Sequence, residues 1–400
     1  MACLVLPARS LSSIPDRLHD AILVAASIVI GAGGWSGYVL ALPAALLFPA
    51  FWAHARSRLI AGLVSAGYFL SASRGLPQGV ANFYAADLWP GFLLWIVASY
   101  SFVIVHAALW TKRPGRGRAL RYLVAAVLMA VPPFGVVGWA HPVTAAGALF
   151  PGWGWLGLAV TTTGLTVMTT RWWLAATIAM IAFWLWSAAT WTPPILPEGW
   201  NGIDLRHGRT LGRDVTLHQH RKMIATVRSA ADDGARAVVL PESTLGFWTP
   251  TVDRLWRDGL NCIDVTVIAG AAIVNQEGYD NVMVAMSGAE ARVLYRERMP
   301  VPVSMWQPWI AWTGQGGGAR AHFFANPMVE LEDKKIAPLI CYEQLIVWPI
   351  IQSMLHAPDF IMATGNGWWT AGTSIVAIQR ASTSAWARLF GIRIVTAFNM

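Results

Sequence analysis

Charge is scarce in this 400-residue chain. Asp, Glu, Lys and Arg together make up only 12% of it, against 56% hydrophobic residues and a mean hydropathy of +0.48. That balance excludes an ordinary soluble globular protein. Cysteine is scarcer still: Cys3, Cys262 and Cys341 are the whole complement, so no disulfide framework is expected and at least one thiol is unpaired. Lysine is confined to Lys112, Lys222, Lys334 and Lys335. The glycine run "GQGGG" at Gly314 to Gly318 lacks the lysine and hydroxyl residue of a phosphate-binding loop and reads as a flexible connection. "HQH" at His218 to His220 has no companion ligands, so it reads as solvated surface and no metal site is expected. There is no internal repeat and no long low-complexity tract.

What the chain has in place of charge is a series of long apolar runs. Seven are discernible, at about 19–34, 36–53, 59–74, 88–110, 119–138, 152–169 and 171–190, each with roughly the 20 residues that cross a hydrocarbon core. The first 200 residues carry 11 Lys/Arg against 4 Asp/Glu, and the last 200 carry 18 against 17. The basic excess therefore lies between apolar runs, in short breaks. It does not form the patch with aromatic readers that a nucleic-acid binder needs, and no direct nucleic-acid binding is expected. Arg9, Arg17, Arg56, Arg58, Lys112, Arg113, Arg116, Arg118, Arg121 and Arg171 fall in alternate gaps, and only Arg74 falls in the short gaps of the other set. By the positive-inside rule the amino terminus is cytoplasmic and residues 200–400 face the periplasm of a bacterial inner membrane. The first run, followed by others, is not read as a cleaved signal peptide.

"WTPPILPEGWNGID" ends the last run with prolines and glycine and divides a membrane domain, 1–195, from a second domain, 196–400. Beyond it the pattern turns to short alternating units. Helices are expected over 216–233, about 251–260, 345–356 and 373–390. Strands are expected at "RAVVLPES", "VTVIAGAAIV", "NVMVAMSG", "ARVLYRER", "KIAPLICYE", "DFIMATG" and "IRIVTAFN". This alternation predicts a layered α/β domain. Two strand ends carry reactive groups: Glu242 after "VVLP", and Cys341 with Glu343 close behind in "PLICYE". By spacing alone Cys341 is open to two readings, a buried structural thiol or a nucleophile whose proton a carboxylate takes. Cys262 reads as core.

"VVLPES", "YRERMPVPVSMW", "PLICYEQL" and "NGWW", in this order, resemble the successive landmarks of the nitrilase, or carbon–nitrogen hydrolase, superfamily. With the apolar block ahead of them the layout is similar to the bacterial apolipoprotein N-acyltransferases, and "RMPVPVSMW" resembles a family of plasmid-encoded conjugal transfer proteins. The resemblance implies an αββα sandwich, and no cofactor is expected. Glu242 would be the base and Cys341 the nucleophile, with Glu343 the carboxylate that follows it. The backbone N–H of Tyr342 would help to hold an oxyanion. The implied activity is transfer of an acyl group from a phospholipid, through a cysteine thioester, to an amine on a lipoprotein or a conjugation-apparatus protein.

Two positions depart from the family pattern. Its lysine falls on Glu297, between Arg296 and Arg298, and a further family glutamate falls on Met305. A unit charge about 4 Å from an oxyanion is worth about 4 kcal/mol at an effective dielectric near 20, so the sign at position 297 matters. A one-residue register slip would bring Arg296 or Arg298 into the lysine's place, Arg298 being favoured, since neighbouring strand residues face opposite sides; a lysine from elsewhere is the second explanation, though none of Lys112, Lys222, Lys334 and Lys335 is obviously placed. Otherwise the chemistry is changed or lost, which would leave an inactive membrane scaffold for conjugation; a small-amide hydrolase of the same fold is the third reading. The chain stops at Met400, straight after "VTAFN", where the acyltransferases continue, so an exposed sheet edge is expected. Trp306, Trp309 and Trp312 are expected to form a lid or to dip into a lipid interface. "AHPVTAAGALFPGWGWLG" is read as an outer loop, a plain interhelical turn in preference to a wall for lipid access.

Overall fold

A computed structural model describes residues 16–208, 215–313 and 317–400. Cys3, Arg9 and Gly314 to Gly316 of the glycine run lie outside the described residues. The amino-terminal half is helical. Its helices are Asp16–Gly34 (α1), Phe48–His54 (α2), Arg58–Ala72 (α3), Leu76–Tyr84 (α4), Leu88–Leu109 (α5), Arg116–Ala130 (α6), Ala146–Leu149 (α7), Gly154–Val167 (α8) and Trp173–Ala189 (α9). Every expected apolar run holds a helix, but several are shorter than their runs. The second begins as a tight 3-10 turn, Val39–Leu47, with Pro43 inside it, before α2 continues past Pro49. The fifth stops at Ala130, because Pro132 and Pro133 disfavour further α conformation. By length and apolarity α1 and α5 each suffice to cross a membrane, and the α3–α4 pair, bent by 50°, makes a third if it is taken as one span. The α4 segment had been read as a connection.

The basic residues between helices gather at one end of this bundle. Arg56 pairs with Asp16, the Arg118 guanidinium donates to the carbonyls of Ala53 and Lys112, and the His54 ring meets Trp173 edge-on. At the opposite end Arg74 donates to the Ala32 and Trp35 carbonyls, which α1 leaves free where it stops. The bundle's outer surface is apolar: Trp89, Val97 and Tyr100 on α5 and Ile178 and Trp186 on α9 are all more than 60% exposed.

The second half forms two sheets. Strands Trp200–Gly202 (β1), Ala237–Val239 (β2), Thr266–Asn275 (β3), Gly278–Met286 (β4) and Ala291–Arg296 (β5) make the first, in that order, with β1, β2 and β3 parallel and the rest antiparallel. Strands Val329–Leu331 (β6), Lys334–Ile340 (β7), Phe360–Asn366 (β8) and Arg393–Asn399 (β9) make the second, parallel from β7 onward. Alternation along each strand divides the core. Ala237, Val239, Ile268, Met283 and Tyr295 meet Ile336, Ile340, Phe360 and Met362 between the sheets. Val238, Val267, Val282 and Val284 turn outward to helices Leu217–Asp232 (α10) and Pro250–Leu260 (α11). Helices Val347–Met354 (α12) and Ile375–Phe390 (α13) cover the other sheet, completing the four αββα layers. The three-residue strands β1 and β6 had not been foreseen, being too short to show a period.

The αββα unit sits on the Arg74 end of the bundle, away from the basic end. Asn82 donates to the carbonyls of Trp369 and Ala371, and the Tyr342 hydroxyl donates to that of Val136 at 2.7 Å. One core runs through the junction, from Tyr68 and Phe102 to Leu339 and Trp386. Two expectations are corrected here and one is refined. The segment read as an interhelical turn or a lipid-access wall is buried over 140–150, where α7 lies so close to α13 that a Cβ on Gly147 would come 1.6 Å from the Ala385 carbonyl oxygen, and exposed at Trp153, Trp155 and Leu156. The outer edge of β9 is partly covered, since the linker runs beside it: Ile394 N–H donates to the Ile195 carbonyl, and Leu205 exchanges backbone bonds with Phe398 and Met400. His220 is buried and accepts a 3.0 Å hydrogen bond from the Trp256 indole, leaving only His218 exposed. Gly147→Ala is expected to destabilise the detergent-solubilised protein by about 3 kcal/mol, since a backbone oxygen cannot yield as a side chain can. A thermal melt like that of the wild type would refute this account of the junction.

Candidate active site

Glu242 stands just past β2, where the chain turns against β3. The approach is close because position 270 has no side chain: a Cβ on Gly270 would fall 2.5 Å from Glu242 Cα. Cys341 follows the last residue of β7 with φ +44, a conformation that side chains rarely adopt. The short turn Cys341–Leu345 is held from two sides. Gln379 of α13 donates to the Cys341 carbonyl at 2.9 Å and lies 3.7 Å from its Sγ. Glu343 turns inward and accepts from the N–H of Ile340 at 2.7 Å, from those of Arg298 and Met299, and from the Tyr295 hydroxyl. Its carboxylate ties the turn to the end of β5 and does not reach the cavity. Tyr342 points its side chain into the helical half.

Glu242 and Cys341 line one cavity of about 890 Å³. Asn281, Asn366, Val301, Met305 and Trp369 also line it, and Leu76, Val80 and Phe83 of α4 with Leu94 of α5 form an apolar side. Asn281 is the junction of the polar end. Its Nδ2 donates to Glu242 Oε1 at 2.8 Å and to Glu297 Oε2 at 2.9 Å. Burial raises the Glu242 carboxyl to about 7, against the pull of the Asn281 and Cys341 contacts. Burial also pushes Glu297 well above the usual carboxylate range, and the Glu242 charge pushes it further. The Cys341 thiol is held well above its ordinary value, first by burial and then by the charges of Glu242 and Glu297.

Thus the structure brings Glu242, Cys341 and Glu297 together and sets Glu343 behind them. It does not bring Arg298 into the cavity, as the register-slip reading expected. That guanidinium is fully buried and committed to the Tyr295 hydroxyl, the Pro338 carbonyl, Gln352 and Ser353. The register does not slip, because Tyr295 and Glu297 point inward and Arg296 pairs outward with Asp280. Asn281, Gln379 and the α4 wall were missed. A lone amide opening an otherwise apolar strand was the available signal for Asn281. Of the tryptophans, Trp369 lines the cavity and packs on Gly79, Trp312 is 86% exposed, and Trp306 meets Phe323 edge-on.

Residues 70–388 match the carbon–nitrogen hydrolase family. The chain belongs to that family. Among curated proteins, this family member is 66% identical over 394 residues to the conjugal transfer protein TraB of Agrobacterium fabrum, covering 96% of this chain and 94% of that one. It is 62% identical over 384 residues to a probable conjugal transfer protein TraB of Sinorhizobium fredii, covering 96% and 99%. Among solved structures it is similar to a nitrilase-superfamily amidase of Nesterenkonia, at 13% identity and a TM-score of 0.37, over 51% of this chain and 78% of that one.

Proposed function

We propose that this carbon–nitrogen hydrolase family member is a membrane-bound, thiol-dependent acyltransferase. It would take its acyl chain from a phospholipid and pass it to an amine during plasmid conjugal transfer. The observation that carries the reading is the composition of the cavity. Its reactive end holds Cys341 and Glu242, and its apolar side is supplied by α4 and α5, helices outside the αββα unit. A site for a small soluble amide has no use for such a wall, whereas a fatty chain gains about 0.8 kcal/mol for each methylene buried there.

In the proposed reaction Glu242 accepts the Cys341 proton and Sγ attacks the ester carbonyl. The lysolipid alcohol leaves with that proton, and an amine then displaces the thioester. The gathering of basic residues at the end of the bundle far from the αββα unit supports a cytoplasmic amino terminus and a periplasmic site in the inner membrane. The names of the conjugal transfer relatives support the conjugation context; the acceptor in this reading is an amine on a lipoprotein or an apparatus protein. Glu297 at the lysine position favours a second reading, an inert scaffold.

Intact mass of the purified protein with added phospholipid, before and after neutral hydroxylamine, decides between them. A fatty-acyl increment that hydroxylamine removes and Cys341→Ala lacks is the expected result. An unmodified wild type would sink the acyltransferase and favour the scaffold.

A further inference from the structure

Glu297 is 1% exposed, Glu242 5% and Asn281 4%, and the three meet without a cation among the groups bonded to them. An amide has two N–H bonds to give, and Asn281 gives one to each carboxylate. The remaining oxygens, Glu242 Oε2 and Glu297 Oε1, are buried and make no hydrogen bond of ordinary geometry among the described residues, although the Cys341 thiol and the Asn366 backbone lie close to Glu242. Other ionisable groups around the pair are Cys341 and Glu343 beyond β7 and Tyr295 and Arg298 at the end of β5. Glu343 adds a further negative charge, and Arg298 is engaged elsewhere. Two buried carboxylates joined at one donor cannot both be ionised without large cost, so one of them holds a proton.

We propose that the Glu242–Glu297 pair, joined at Asn281, carries one proton, and that Glu297 is a positioning residue that holds this proton and leaves Glu242 free as the base. The proposal deepens the acyltransferase reading and rests on it. With the proton on Glu297, the pair bears one negative charge, on Glu242. When Sγ bonds to the acyl carbon, the thiol proton moves to Glu242 and the pair becomes neutral. As the ester C–O bond breaks, the leaving oxygen takes that proton and the pair returns to one negative charge. A neutral Glu297 places no anion beside the developing oxyanion, which resolves the objection raised by the missing lysine. The raised titration of both carboxyls agrees with such a pair.

The test needs no lipid, so it stands or falls apart from the acyltransferase assay. Full-length protein in detergent, with Cys3→Ser and Cys262→Ser, is examined by infrared spectroscopy for a protonated-carboxyl C=O band at about pH 8.5, above the titration of Glu242 at about 7. The band is expected in this parent and lost in Glu297→Gln, where the carboxyl that carries the proton is gone and Glu242 is ionised at that pH. In parallel, the pH profile of Cys341 alkylation by iodoacetamide is expected to keep its midpoint in Glu297→Gln, because the amide reproduces a side chain that is already neutral; a profile shifted down by about one unit, about tenfold faster on the acid side, would mean that Glu297 is ionised in the parent and would overturn the proposal. Absence of the band from the parent would overturn the proposal without recourse to any variant. Persistence of the band in Glu297→Gln would overturn it too, since the proton would then belong to Glu242 or to a distant group.

Discussion

Glu343→Ala is expected to cost about 3–5 kcal/mol of stability, the range for removing one partner of a buried charged pair. The carboxylate accepts three backbone N–H groups and the Tyr295 hydroxyl, and its Oε1 lies 3.8 Å from the Arg298 Nε, with both side chains fully buried. Removing it strands all of those donors and leaves the guanidinium without its counter-charge. Glu343→Gln keeps an acceptor but not the charge, so it should fall between the two. Thermal unfolding in detergent measures the loss, and Cys341 alkylation reports on the turn. A variant as stable as wild type, with unchanged alkylation, would remove Glu343 from its role as the tie between β5 and the nucleophile turn.

Glu242→Gln is expected to slow acylation or alkylation of Cys341 by about 10²–10⁴-fold near neutral pH, the usual worth of a general base. The sign follows from the raised carboxyl. Below about 7 Glu242 is protonated and cannot accept the thiol proton, so the wild-type rate climbs as pH passes through about 7. The variant should lose that step and react only at high pH, where the thiol ionises unaided. A profile in Glu242→Gln that still rises through neutrality would assign the base elsewhere.

The strand ends were legible because their signals are local. "VVLPES" and "PLICYE" each join a short apolar strand to a proline or turn residue and then a reactive group, and β2 and β7 end beside those groups. The amphipathic helix expected over 216–233 was equally readable and forms as Leu217–Asp232, since a helix needs only its own 3.6-residue period. Glu297 stood out by the family resemblance: an anion between Arg296 and Arg298 where the family pattern has a cation. Arg298 was misjudged because position along a strand does not tell whether a buried guanidinium faces a cavity or the far side of a sheet.

The sequence by itself determined the helical half, the layered second half and the one-sided basic pattern, and it carried the motifs whose family resemblance picked out Glu242, Glu297 and Cys341, because composition, period and motif are properties of contiguous residues. Only the tertiary structure decided that α4 and α5 wall the cavity, that Asn281 joins the two carboxylates, and that Glu343 and Arg298 stand behind the site. Those relations span separations such as Glu242 to Asn281 and Val136 to Tyr342. They exist only once two sheets close on one core and a helical bundle packs on one of them, and no local pattern encodes a distance between segments that meet only after the chain has folded.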